Sequence, residues 1–533
     1  VGVDPTPATV RQGRKAFANA LASTHGTFSC ESCHPDGNTD QLLWRIGGAC
    51  FFGACTGDDE IRSTMPVRGL KNTVPLHWDG TLGDPFGGRN GAVTGNVPAS
   101  CNLGGADGDL DCFRDLVDAS LSGVMCDQTS CPNGPSGEPG LLTSADRDAL
   151  ASFLASVSYP PARLRRADDS VSPSALIGFS DFFVDQNSNV GSADAGDQLG
   201  VMTCADMNSG CHALPLGVDT NSVSLAGFDA PTMRGMTDRT LQFSIGITNA
   251  EEMLVFANDS HILNLLGINL FAPASAIPWD PDQGYEEDTT YSAAFLLFSP
   301  VYASEAIPTF RMFEEASTGF SGALGRQLTL NTVTTNGAAL AATEATLSAL
   351  EAADTRGGVN LRASGIRNGG SLELSYRAET ANWKGNVVLS HAQLIAEAQA
   401  GTLLATVTAA LPQNLGSASL GAQPLLLPDT DNNGANGTNP DIPILPGDNP
   451  MTLGGIGVQQ GASVLVDGDV VSATLTCVSG SFNPTCSSQL VSIQLTGPAL
   501  SNGLHLLQVQ NPKGLQSNEM PICQGTLGGC RLD

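Results

Sequence analysis

The sequence predicts a multidomain protein: two mainly α domains followed by β-rich domains, the last of them a β-sandwich. Three observations carry this. At 533 residues the chain is too long for a single core. Its first part repeats one ordered pattern: a helix, cysteines followed by a histidine, then an Arg-Gly loop. After residue 315 apolar and polar residues alternate at strand spacing, broken by turn-forming residues.

The elements follow in order. Residues 8–22, ATVRQGRKAFANALA, place apolar side chains at helical spacing and lead into FSCESCH at 28–34. Residues 175–186, ALIGFSDFFVDQ, do the same before TCADMNSGCH at 203–212. Each helix carries a glycine followed by an aromatic residue, Gly13 with Phe17 and Gly178 with Phe182. Downstream, STMPVRGLKNTVPLHWDG and FDAPTMRGMTDRTLQFSIG align on Arg68-Gly69 and Arg234-Gly235 and end in register at Gly80 and Gly246. The repeat implies related domains over 1–167 and 168–314. Residues 315–428 read as a β-rich domain with strands such as GVNLRASGI and LLATVTAAL, and helices near 338–353 and 391–399. A Pro/Asn/Gly/Asp-rich linker covers 429–447, and short alternating strands at sandwich spacing fill 448–533.

Composition limits the function. The chain has 53 acidic and 24 basic residues, a net charge of −29, spread along its length. Nothing here could neutralise a row of phosphates, so nucleic-acid binding is excluded, and positively charged partners are favoured. No apolar run reaches the ~18 residues of a membrane span. Ten of the 14 cysteines fall into five close pairs: Cys50 with Cys55, Cys101 with Cys112, Cys126 with Cys131, Cys477 with Cys486, and Cys523 with Cys530. Read as disulfides closing small loops, they place the chain in the periplasm or outside the cell, its signal peptide already removed.

Cys30, Cys33 and His34 have the order of a c-type haem attachment motif, in which two thiols add to the haem vinyl groups and the adjacent imidazole ligates iron. The alternatives are a zinc half-site, which lacks a second ligand pair at ordinary spacing, and a disulfide. The second cluster, Cys204, Cys211 and His212, is a widened copy whose weight comes from the repeat around it; its alternative is a sixth disulfide. Arg68 and Arg234 suit a bidentate role on haem propionates. For the sixth iron position, His77 is the first choice at the first haem and Met65 the second. In the repeat Phe243 aligns with His77, so Met253 or His261 would serve there; with neither, the second iron is open to peroxide or oxygen. Asp79 and Glu251 are candidate acid–base helpers. DTDNNGANG, residues 429–437, resembles a calcium loop but lacks the terminal glutamate, and a plain turn-rich linker is the preferred reading.

CESCH, MPVRGLKNTVPLHWDG and APTMRGMTDR together resemble bacterial di-haem cytochromes c related to the cytochrome c peroxidase superfamily. The resemblance covers about residues 10–265. It implies two cytochrome c domains and electron transfer or peroxide reduction, with a redox partner protein or extracellular acceptor. The family's usual distal methionine falls near Ala257, leaving His261 or Met253 to substitute. GLHLLQVQNPKGLQSNEMPI resembles the end of an IPT/TIG-type, immunoglobulin-like domain, which implies a spacer or binding role. The leading expectation is an exported di-haem electron carrier. A peroxidase or oxygenase using the second haem, and a surface or filament-forming homo-oligomer, are the alternatives.

Overall fold

A computed structural model describes residues 6–46, 60–73, 76, 108–126, 133, 134, 137, 140–184, 219–223, 226–230, 232, 234, 308, 311–412, 423–428, 442–512, 514–530 and 532. Its N-terminal unit holds helices α1 (Ala8–Phe17), the single turn α2 (Cys30–Cys33), α3 (Gly108–Ser122) and α4 (Ser144–Leu154), with a hairpin of β1 (Leu43–Ile46) and β2 (Glu60–Ser63). α1 crosses α4 at Gly13, where an added Cβ would lie 1.9 Å from the Ala149 carbonyl oxygen. Only glycine lets the two backbones approach so closely. One turn on, Phe17 meets Phe153 at 5.5 Å between ring centroids. Phe113, Val117 and Leu121 of α3 complete this core. Arg147 is fully buried there because Asp118 at 2.7 Å and the Leu142 carbonyl at 3.2 Å satisfy its guanidinium.

α5 (Pro173–Phe179) starts at the Ser172 cap, whose hydroxyl accepts from the Ala175 amide at 3.2 Å. A hairpin of β3 (Asp219–Val223) and β4 (Ala226–Ala230) follows in the chain. The middle unit is a six-stranded antiparallel sheet with β5 (Gln327–Leu330), β6 (Asn360–Arg367), β7 (Gly370–Arg377), β8 (Asn382–Gly385), β9 (Val388–Ser390) and β10 (Leu403–Ala410) in the order β5-β10-β6-β7-β8-β9. Helices α6 (Ala339–Arg356) and α7 (His391–Gln399) contribute Leu347, Leu350, Leu394 and Ile395 to a core with every second sheet residue, including Ala363, Leu374 and Val407. Glu351 of α6 joins the layers by accepting from Trp383 Nε1 at 2.7 Å and pairing with His391 at 2.9 Å.

The C-terminal unit has two sheets. β11 (Leu425–Leu427), β13 (Met451–Ile456), β17 (Leu490–Leu495) and β16 (Ala473–Cys477) form one; β12 (Ile444–Leu445), β19 (Met520–Gln524), β18 (Gly503–Gln510), β14 (Ser463–Val466) and β15 (Asp469–Val470) form the other. Leu453, Val491 and Ile493 from the first share a core with Val464, Leu506, Val509 and Ile522 from the second. Disulfides join Cys477 to Cys486 and Cys523 to Cys530.

The expected pair of mainly α cytochrome c domains is not what the chain builds. The described residues are dominated by the three sheets, and their β-rich C-terminal part is as anticipated. α5 shows why the repeat misled. Its Gly178 would place a Cβ 2.3 Å from the Pro308 carbonyl oxygen, and Phe179, Phe183, Met312 and Phe313 sink into the core of the C-terminal sandwich. The glycine-aromatic pattern therefore marks a close helix contact in both places, but with different partners. Among the described residues no helix is long and apolar enough to cross a membrane.

The strap of residues 163–172 binds these units together. Arg165, 1% exposed, donates to Glu519, to the Glu315 carbonyl at 3.0 Å and to Gln508 at 2.6 Å. Asp169 accepts from the Gly322 amide at 2.6 Å, Ser321 at 2.9 Å and Arg356 at 2.8 Å. Replacing Arg165 with methionine leaves these carboxylates buried and underpaired, so we expect the full chain to lose about 3–5 kcal/mol in denaturant unfolding.

His505 supplies a pH dependence. Its Nδ1 lies 2.6 Å from Asp467 and its Nε2 2.8 Å from the Ser501 carbonyl, so the imidazolium is bonded at both ends. The Asp467 hydrogen bond raises its pKa above 6.5, against the effect of burial. This stabilisation is full below 6.5 and disappears as pH rises through the raised value. The urea midpoint should therefore fall as the pH is raised from about 6 to about 8, with a shallower slope in His505→Gln.

Candidate functional site

The site forms where the chain reverses after α2. The Ser29 amide donates to the Ser32 hydroxyl at 3.1 Å, and the His34 amide donates to the Cys30 carbonyl at 2.9 Å, so one helical turn sets both sulfurs ahead of the imidazole. Asp36 and Gly37 then take left-handed backbone angles, φ 53° and 74°. Glycine is suited to this and aspartate tolerates it. The reversed turn is clamped from outside: the Val67 and Arg68 amides both donate to the Gly37 carbonyl at 3.0 Å, and Arg68 Nε donates to the Asp36 carbonyl at 3.1 Å.

His34 lies over the crossing of α1 and α4, 6.3 Å from the Phe17 ring. Its Nδ1 is buried and has no hydrogen-bond partner. Burial lowers its pKa, opposed by the Asn38 backbone, the Asp40 charge and the Met65 backbone, so the ring is neutral at neutral pH. Cys30 and Cys33 are free, half-buried thiols, whereas Cys112, Cys126, Cys477, Cys486, Cys523 and Cys530 are disulfide-bonded. Burial pushes the Cys30 thiol to about 12 and the Cys33 thiol to about 11, the latter with help from Asp40.

Asp40 is a site residue that the sequence did not single out, although it closes the stretch FSCESCHPDGNTD. It accepts from Trp44 Nε1 at 2.9 Å, the Thr64 hydroxyl at 2.6 Å and the Leu42 amide at 3.0 Å. It thus ties the β1 end and the Met65 segment to the cysteine turn, while its charge acts on Cys33 and His34. An acid six residues beyond a histidine carries no pattern, and only the fold brings these groups together.

The two Arg-Gly segments meet at Tyr159. A Cβ on Gly69, at φ 78°, would lie 1.9 Å from the Tyr159 ring, so glycine makes room for the aromatic. The Arg234 guanidinium carbon lies 6.0 Å from the same ring's centroid, at the outer limit of a cation–π contact. Arg234 is 8% exposed and its Nη1 has no partner. Burial lowers its pKa, opposed by Glu519 and Tyr159 and reinforced by Arg165. Arg68, by contrast, is committed to the backbone of the cysteine turn. His77, Asp79, Cys204, Cys211, His212, Glu251, Met253, His261, Cys50, Cys55, Cys101, Cys131 and the 429–437 loop lie outside the described residues.

Two thiols and an imidazole on one turn are the groups a covalently held haem would use. A redox nucleophile needs thiolate, which burial and Asp40 disfavour here. Among the described residues no three His, Cys, Asp or Glu side chains converge as a metal cluster. Thioether formation consumes neutral thiols and leaves no buried charge. A Ser-His-Asp set also occurs at Ser501, His505 and Asp467, but the His505 Nε2 is 3.4 Å from the Ser501 hydroxyl and 2.8 Å from its carbonyl. That imidazole holds a loop and does not activate the serine.

In haem-free protein at about pH 8, alkylation of Cys30 and Cys33 should be at least about a hundredfold slower than after denaturation. Peptide mapping should find both labelled without reductant, and Cys477 and Cys523 labelled only after reduction.

No family model matches the chain, and no curated protein does. Among solved structures, hydrazine synthase of Kuenenia stuttgartiensis pressurised with xenon aligns at 17% identity and a TM-score of 0.29, over 58% of this chain and 88% of that one. A likeness this slight carries no argument about fold or chemistry.

Proposed function

We propose that the chain is an exported electron carrier that holds a c-type haem through Cys30, Cys33 and His34, with a second at Cys204, Cys211 and His212. One observation carries the reading: in a chain whose other described cysteines are bonded, these two thiols stay free on one turn beside an imidazole whose Nδ1 is buried without a partner and whose pKa burial lowers. A haem held there would supply a one-electron couple, with its potential set by axial ligands and burial.

The chain's own residues do the rest. α2 presents both thiols from one edge, and the Asp36-Gly37 reversal clamped by Arg68 fixes where His34 points. Phe17 and the α1–α4 core keep water from that side of the imidazole. Arg234, buried with an unpartnered Nη1, suits a propionate of the second haem. The disulfides favour an oxidising compartment, periplasmic or extracellular, and the net charge of −29 favours a basic redox partner protein.

Mass spectrometry of protein matured with c-type haem should show a covalent haem lost in Cys30→Ala/Cys33→Ala, and a second lost in Cys204→Ala/Cys211→Ala. Absorption spectra should be low-spin at the first site and unaffected by cyanide. A haem-free product of a strain that matures other cytochromes c would refute the reading, and a cyanide-binding second haem with peroxide turnover would replace the carrier with an enzyme.

A further inference from the structure

Among the described residues, the six-stranded sheet is covered on one face only. α6 and α7 bury the side that carries Leu361, Ala363, Leu372 and Leu374, while Arg362, Ser364, Ile366 and Glu373 on the opposite side stay exposed. Register sets Thr408, Arg362, Ser375 and Lys384 side by side on β10, β6, β7 and β8. Four residues along β6, Ile366 pairs across the strands with Leu404, at 52% and 51% exposure. The open face is therefore a row of hydroxyls and two cations beside an apolar pair.

Acidic residues outnumber basic ones 53 to 24, and Arg147, Arg165, Arg356 and Arg367 each have a carboxylate partner. Neither Arg362 nor Lys384 forms an ion pair with a described residue. Glu373, diagonal to both across the register, is the one acid among these face residues, a single negative charge for two cations.

We propose that this face docks a second copy of the chain, through an acidic surface of that copy. A molecule of net charge −29 offers such surfaces widely, and the cationic row offers them a complement. Two copies of the face set against each other would bring four cations together for two acids. The contact is therefore head-to-tail, between unlike surfaces, and propagates into a chain or ring of copies. Strand spacing gives the face an area on the order of 500 Å², a large part of the ~800 Å² that each partner contributes to a stable interface. The apolar pair supplies a dry patch within it.

Sedimentation velocity of the full chain tests this. At about 0.15 M salt, repulsion from net charge is confined to ~8 Å and short contacts survive. The average mass should rise over a roughly hundredfold increase in concentration, by mass action. Arg362→Glu with Lys384→Glu should weaken association at least about tenfold, with circular dichroism and melting unchanged because both side chains lie on the uncovered face. Because the contact joins unlike surfaces, the double variant still presents its acidic surface; mixed with wild type it should cap and shorten the assemblies. Should the reversals disturb folding, Arg362→Ala with Lys384→Ala is read the same way. A wild type that stays monomeric throughout, including one that binds an anionic polysaccharide as a monomer, overturns the proposal. So does a folded double variant that assembles like wild type.

Discussion

The buried ion network around Arg165 is the constraint on which the rest of the structure depends. Removing a guanidinium and two carboxylates from water costs several kcal/mol per ion unless each lone pair and proton is matched. Here the matches come from three separate parts of the chain: Glu519 and Gln508 of the sandwich, Ser321, Gly322 and Arg356 of the middle unit, and Glu315 just before it. Asp169 is satisfied within the middle unit, whereas Arg165 needs the sandwich residues Glu519 and Gln508, so the strap fixes the position of one against the other. Two glycines mark how tight the fit is. A Cβ on Gly322 would lie 2.1 Å from the Arg166 carbonyl oxygen, and one on Gly468 would lie 2.7 Å from that of Asp168.

The strap that carries Arg165 begins at the candidate site. Six residues earlier, Tyr159 lies against Gly69 and beneath Arg234, so the loop that clamps the cysteine turn is positioned by a ring anchored to the network. Lys71 extends the connection, its amide donating to the Val157 carbonyl at 3.1 Å. Local geometry at His34 is thereby linked to packing in the C-terminal sandwich. For an electron carrier such rigidity has a purpose, because the ligands and burial that set a potential must not drift.

Much of this was legible in the sequence, for identifiable reasons. Strand alternation placed β6, β7, β10 and β17, because every second side chain in them meets a core. Helical spacing found α1, α6 and α7. The Cys30, Cys33 and His34 cluster was visible because its chemistry is local to one turn. What escaped was long-range. Arg165 meets Gln508 and Glu519 across more than 340 residues, and nothing near Arg165 announces it. The contact of Arg68 Nε with the Asp36 carbonyl, 32 residues away, was likewise not announced by its neighbours. The helix at 175–186 was read as the start of a second helical domain, since periodicity reports an apolar face but not the surface that face covers. Its partner is the sandwich.

The cysteine turn poses a last problem, which the site itself answers. Thiols three residues apart on one turn are near enough to form a disulfide, and the other described cysteines are disulfide-bonded. Spacing therefore does not keep Cys30 and Cys33 apart. Exchange begins with attack by a thiolate, and its rate follows the thiolate fraction. With the two thiols pushed to about 12 and about 11, that fraction is minute at neutral pH. Burial against the α1–α4 core produces most of the effect, and Asp40, held by Trp44 and Thr64, adds its charge at Cys33. The fold thus disfavours the ionised form with which disulfide exchange begins.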